Sequence, residues 1–179
     1  MRHFSPDILI HFDDDDWSHP ERISEQVALL ESSGADVVGY REMLLWREGP
    51  GEAWIYSNPD PRYALGTSLC YWRKTWERKP FEATSNGEDT KFITGLNCVG
   101  KSSFPGEPPE TAKRRGLPDG STVMKYDIDE PRMIARIHAG NTSNQYAQNL
   151  LDISNRVKGG PWRRVPEWDA YTRSIMEAA

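Results

Sequence analysis

Four consecutive aspartates, Asp13-Asp14-Asp15-Asp16, stand directly behind the apolar run Ile8-Leu9-Ile10-His11-Phe12. Carboxylates this close repel one another unless a cation or a proton intervenes, and a divalent metal resolves the repulsion economically. Hard cations such as Mg²⁺ and Mn²⁺ take oxygen ligands, often one or two carboxylates plus substrate phosphates, which suits a substrate with a diphosphate. The same run also reads as an acidic loop whose charges favour the N-terminus of a following helix. An EF-hand loop is set aside, because it needs alternating oxygen ligands and Gly at its sixth position, where this chain has Trp17 and Ser18.

A second carboxylate pair, Glu88-Asp89, follows Asn86-Gly87 at the start of a helical pattern. It reads either as first-turn helix charge or as a general base that takes a proton from an attacking hydroxyl, worth about 10²- to 10⁴-fold in rate. His138 ends an apolar run at Met133 to Ile137, just before Ala139-Gly140-Asn141-Thr142-Ser143, where a lone strand-end His is either structural or a ligand. His3, His11 and His19 are assigned only surface or supporting contacts. Trp17, Trp46, Tyr71, Trp72 and Trp76 offer stacking faces for a sugar or base, although aromatic residues near strands more often pack in a core or at its rim.

These residues need elements to position them. Asp7 to Phe12 reads as a buried strand that delivers the aspartates to the rim of a sheet. Ser18-His19-Pro20-Glu21 has capping-box spacing, Ile23, Val27 and Leu30 follow at helical intervals, and Gly34 supplies a stop. Asp36 to Trp46 reads as a strand with a bend, and Gly49-Pro50-Gly51 turns it into a hairpin with Ala53 to Tyr56. Thr67 to Trp72 and Met133 to His138 are further strands, and Glu88 to Thr94 is a short helix. Ser102 to Gly120, dense in Pro, Gly and charge, reads as a long loop. The tail from Gln145 has helical content interrupted by Gly159-Gly160-Pro161.

At 179 residues with a net charge of -5, the chain fits one domain and argues against an extended nucleic-acid surface. The basic runs Lys113-Arg114-Arg115 and Arg163-Arg164 read as solvated loops. Cys70 and Cys98 are the only cysteines, which excludes a disulfide framework or a zinc ribbon and suits a reducing compartment. No apolar stretch is long enough for a membrane span or a signal-peptide core, so a cytoplasmic location is expected.

The segment Ile10-His11-Phe12-Asp13-Asp14-Asp15-Asp16-Trp17-Ser18-His19-Pro20-Glu21 resembles the D-x-D-D segment of family 2 glycosyltransferases of the GT-A fold, where a hydrophobic strand runs into the DXD motif and a Pro and a helix follow. Gly66-Thr67-Ser68-Leu69-Cys70-Tyr71-Trp72 is similar to the family's small-residue loop and strand that flank sugar and acceptor, and Gly87-Glu88-Asp89-Thr90-Lys91-Phe92 to its G-E-D-x-x-F block. The resemblance implies Mn²⁺ or Mg²⁺ held by Asp13 and Asp15 with help from His138. It places Asp14, Asp16, Trp17, Gly66, Thr67 and Asn141 at the substrates. It makes Asp89 the catalytic base and Glu88 its supporting carboxylate. The reaction it implies moves a sugar from a nucleotide-diphosphate donor to a hydroxyl acceptor, with inversion.

The resemblance covers about residues 7 to 145 and matches only the second half of the family's domain, since twelve residues precede Asp13. The expected fold is therefore α/β, a GT-A-like mixed sheet flanked by helices and truncated on its N-terminal side, with a catalytic domain over 1-145 and a helical extension over 146-179. A truncated sheet leaves an edge to cover, which favours a homo-oligomer or an N-terminal partner polypeptide. Two rivals stand beside it: a non-catalytic GT-A-like scaffold or binding protein that needs a partner chain, and a carboxylate-metal hydrolase of phosphate esters.

Overall fold

The computed structural model describes residues 7-84, 87-104, 114-116, 122-124, 131-138 and 161-179. In chain order the described strands are β1 (Ile8–Ile10), β2 (Trp17–Ser18), β3 (Val37–Arg47), β4 (Glu52–Ser57), β5 (Cys70–Trp72), β6 (Cys98–Ser102), β7 (Arg114–Gly116), β8 (Thr122–Met124), β9 (Met133–Ile137) and β10 (Trp162–Arg164). The described helices are α1 (Arg22–Ser33), α2 (Arg73–Arg78), α3 (Glu88–Ile93) and α4 (Asp169–Ala178).

Strand β3 is the spine of a mixed sheet. Its sequence, Val-Val-Gly-Tyr-Arg-Glu-Met-Leu-Leu-Trp-Arg, is buried at almost every position, as a strand covered on both faces requires. Its first half pairs antiparallel with β5 and parallel with β6; its second half pairs antiparallel with β4 and parallel with β9. The exchange of partners coincides with a register shift between Tyr40 and Glu42. A bulge twists and redirects a strand locally, and here it lets one strand serve two sets of neighbours. Buried Glu42 is held there by the Ser102 hydroxyl at 2.9 Å.

Strand β1 adds to β5, β2 adds to β9, and β10 adds to β4, all antiparallel. The result is an α/β structure with a curled mixed sheet and flanking helices. Leu44, Trp46, Ile55, Ile134, Val165, Trp168 and Met176 form one core cluster, so β10 and α4 bury apolar surface against the same sheet as the hairpin. The expected boundary at 145/146 lies outside the described residues.

Several local expectations are corrected. The helix after the aspartates begins at Arg22 with Glu21 at its N-cap, and no side chain caps it. The Ser18 hydroxyl instead accepts from Arg22, and the Glu21 N–H donates to His19 Nδ1, so the capping box does not form. The buried face of α1 is Arg22, Gln26 and Leu30, while Ile23 is 49% exposed. Gly34 does close the helix, in the left-handed conformation at φ 66. Gly66–Ser68 is a 3₁₀ turn, and the strand is limited to Cys70–Trp72. Within the stretch read as loop, β7 forms and pairs with β8 just beyond it, and the Arg163-Arg164 run lies in β10. Arg164 binds the Asp169 carboxylate and donates to the Ala53 carbonyl. No helix among the described residues is long and apolar enough to cross a membrane.

Candidate active site

The aspartate loop crosses from β1 to β2 and lies along β9. Two anchors hold its ends: β1 in the β5 ladder, and β2, whose Trp17 pairs with Ile134. Arg132, just before β9, ion-pairs with Glu25 at 2.6 Å and ties that strand's start to α1.

Asp16 is the centre of the loop's hydrogen bonding. One carboxylate oxygen accepts from the Thr67 hydroxyl at 2.7 Å, and the other from the Arg136 backbone N–H at 2.8 Å. Burial, reinforced by the Asp13 and Asp15 charges, nevertheless raises its pKa to about 6, with the two hydrogen bonds opposing the rise. Asp15 points to the end of β9, where its carboxylate meets His138 Nε2 at 2.7 Å. Asp13 and Asp14 are exposed at the turn.

Beneath the loop lies Arg22, with no solvent exposure. Its guanidinium donates to the His11 carbonyl at 2.7 Å, the Thr67 carbonyl at 3.1 Å, the Ser18 hydroxyl at 2.7 Å and the Gln26 amide oxygen at 3.2 Å. Gln26 in turn donates to the Ser68 carbonyl at 2.7 Å. One buried cation therefore fixes the end of β1, the Gly66–Ser68 turn and α1 against each other. Burial lowers its pKa, and the nearby Tyr40, Asp16 and Asp13 oppose that.

The Gly66–Ser68 turn brings the second carboxylate pair into the site. A Cβ on Gly66 would stand 1.9 Å from Asp89 Oδ2 and 2.2 Å from its Cγ, so only glycine leaves room for Asp89. Burial raises the Asp89 pKa, Glu88 and Asp13 raise it further, and His11 opposes them. Glu88 Oε2 is buried without a hydrogen-bond partner. His11 bridges this corner, with Nδ1 at 2.9 Å from the Gly66 carbonyl and Nε2 at 3.1 Å from the Tyr71 hydroxyl.

These residues are linked in pairs, His138 to Asp15, Thr67 to Asp16 and Gly66 to Asp89, from sequence blocks up to 123 positions apart. Trp17 packs its half-buried ring against the Leu44–Ile134 core and edge-on to His19. Asn141 lies outside the described residues. Among the described residues, no group of three or more His, Cys, Asp or Glu side chains is arranged to hold a metal ion by itself. Sequence reasoning missed Arg22, gave Tyr71 only as a stacking face and left His11 a minor role. The one available signal for Arg22 was its i, i+4, i+8 spacing with Gln26 and Leu30. Comparison of the chain with protein-family models, curated proteins and solved structures finds no match.

Proposed function

We propose that the chain is a metal-dependent glycosyltransferase that moves a sugar from a nucleotide-diphosphate donor to a hydroxyl acceptor. The observation that carries this reading is a series of contacts between distant segments: His138 meets Asp15 of the aspartate loop, Thr67 holds Asp16 of the same loop, and Asp89 lies against Gly66 in the turn that carries Thr67. Asp15 and His138, already in contact, and the exposed Asp13 offer oxygen and nitrogen donors suited to Mn²⁺ or Mg²⁺. Burial chiefly raises Asp16, and the neighbouring Asp13 and Asp15 charges, which add to the rise, are what a cation would relieve. A cation so held supplies Lewis-acid stabilisation to the leaving diphosphate.

The chain's own residues then divide the work. Asp16 and Thr67 fix the loop against β9, and Gly66 leaves Asp89 open to the acceptor. Asp89, with its pKa raised by burial, accepts the acceptor hydroxyl's proton as the new bond to the anomeric carbon forms and the bond to the diphosphate breaks. Calorimetric titration with UDP and GDP, with and without Mn²⁺, on the wild type and Asp15→Ala tests the donor half. Metal-dependent binding lost in the variant supports the reading; donor binding that survives Asp15→Ala, or no binding at all, counts against it.

A further inference from the structure

Asp89 stands against Gly66, and the chain entering that turn carries Tyr63 three positions earlier. Tyr63 packs against the cluster that contains Phe92 of α3, the helix whose first turn bears Asp89. Burial chiefly, then neighbouring Tyr56 and the Asp89 charge, raise the Tyr63 pKa, so the ring is a neutral phenol close enough to feel Asp89. Tyr56 follows on β4, its ring centroid 6.2 Å from that of Tyr63. Trp162 on β10 lies directly across the ladder from Tyr56, with ring centroids 4.8 Å apart. Residues opposite one another in a ladder share a face of the sheet.

Three aromatic rings from three separate segments thus form a strip that begins beside the Asp89 corner and ends at β10. All three side chains are half-buried, so each keeps part of its surface toward solvent. Their packing holds them in place: Trp162 meets Tyr56 edge-on at 62°, and Asn58 Nδ2 donates to the Tyr56 hydroxyl at 3.4 Å. Tyr and Trp give a large, rigid contact area at small entropic cost, with an apolar ring and a polar tip. A pyranose ring matches such a surface, because its C–H groups lie on its faces and its hydroxyls at its rim. Several rings in succession favour a ligand with several sugars in succession.

We propose that Tyr63, Tyr56 and Trp162 form the acceptor subsite and that the acceptor is a glycan, whose sugar rings stack along the strip and present a hydroxyl to Asp89. The assignment to the acceptor rests on the proposed glycosyltransferase activity, whereas the stacking surface itself does not. An oligosaccharide is therefore bound more tightly than a single sugar, and an open-chain polyol, which has no ring face, is not bound.

The test uses the full ¹⁵N-labelled chain without metal or nucleotide and follows the Trp162 indole N–H cross-peak, assigned through Trp162→Phe. Cellotetraose, maltotetraose, glucose and sorbitol are titrated in turn. The subsite is supported by a saturable shift with either tetrasaccharide, about tenfold tighter than with glucose and absent with sorbitol. The same binding should weaken about tenfold in Tyr63→Leu and in Tyr56→Leu and return in Tyr63→Phe, which keeps the ring and loses only the hydroxyl. No shift with either tetrasaccharide, an equal shift with sorbitol, or wild-type binding in both Leu variants overturns it. Because this titration needs no donor, it fails independently of the UDP and GDP experiment. Glycan binding in a chain that binds no donor would retain the strip and overturn its assignment to the acceptor, whereas donor binding without glycan binding would retain the donor site and overturn the strip.

Discussion

Two polar regions flank β9, and they are built on opposite terms. On the aspartate side, buried groups are matched: Arg22 makes four hydrogen bonds, and both oxygens of Asp16 are engaged. On the hairpin side, Trp46 Nε1 and Arg136 Nε stay buried without partners. A satisfied buried network holds one geometry, whereas unmatched buried donors weigh against the packing around them. The first region therefore acts as a frame, while the second keeps unsatisfied donors inside the packing. Glu88 Oε2, beside Asp89, and the Tyr40 hydroxyl, near Arg22, have the same unfinished character on the framed side.

The contrast breaks most decisively at Arg22. Arg22→Met removes the cation that joins three segments and strands the carbonyls of His11 and Thr67. A stability loss of about 3–5 kcal/mol is expected by urea denaturation. If the loss is below about 1 kcal/mol, the network is not the frame.

Asp16 sharpens the contrast through pH. Its folded pKa of about 6 lies above the ordinary aspartate value of 3.8, so the protonated form is favoured by folding. Its contribution to stability is fully present below about pH 4 and is lost as pH rises through about 6, amounting to about 3 kcal/mol across that window. Asp16→Asn can keep a carbonyl oxygen for the Arg136 N–H and is expected to flatten this part of the profile. Thermal unfolding between pH 4 and 7 distinguishes the two chains, and identical slopes would remove Asp16 from the account.

Gly66→Ala probes the position of Asp89 without changing a carboxylate. The added methyl displaces Asp89, so transfer is expected to fall by about 10²-fold while metal-dependent donor binding survives. Equal loss of both would mean that the turn, rather than the base, had been disturbed. The smallest effect is expected from Thr67→Val, which removes one hydrogen bond to Asp16 and should cost about 1 kcal/mol in urea denaturation.

Much of the local structure was legible from short-range chemistry. Gly34 closes α1 because a left-handed residue there favours glycine, and Gly49-Pro50-Gly51 turns β3 into β4 for the same kind of reason. The apolar run into Asp13 and the strand ending at His138 were visible as patterns of hydropathy. Among the residues singled out by type, the fold brings Asp15 to His138 and Asp16 to Thr67.

What the chain alone determined, then, is where several of the strands, helices and turns fall, though not β6, α2 or β10, and which segments carry carboxylates, because periodicity and backbone preference act over a few residues. Only the tertiary structure decided that β3 serves two pairs of neighbours, that Arg22 rather than Ile23 faces inward, and that Asp16 among four identical neighbours has a pKa raised by burial. Those outcomes depend on solvent exclusion and on partners dozens of positions away. A run of four aspartates has no local feature to tell its members apart; the N–H of Arg136 and the hydroxyl of Thr67, arriving from other strands and turns, make the distinction.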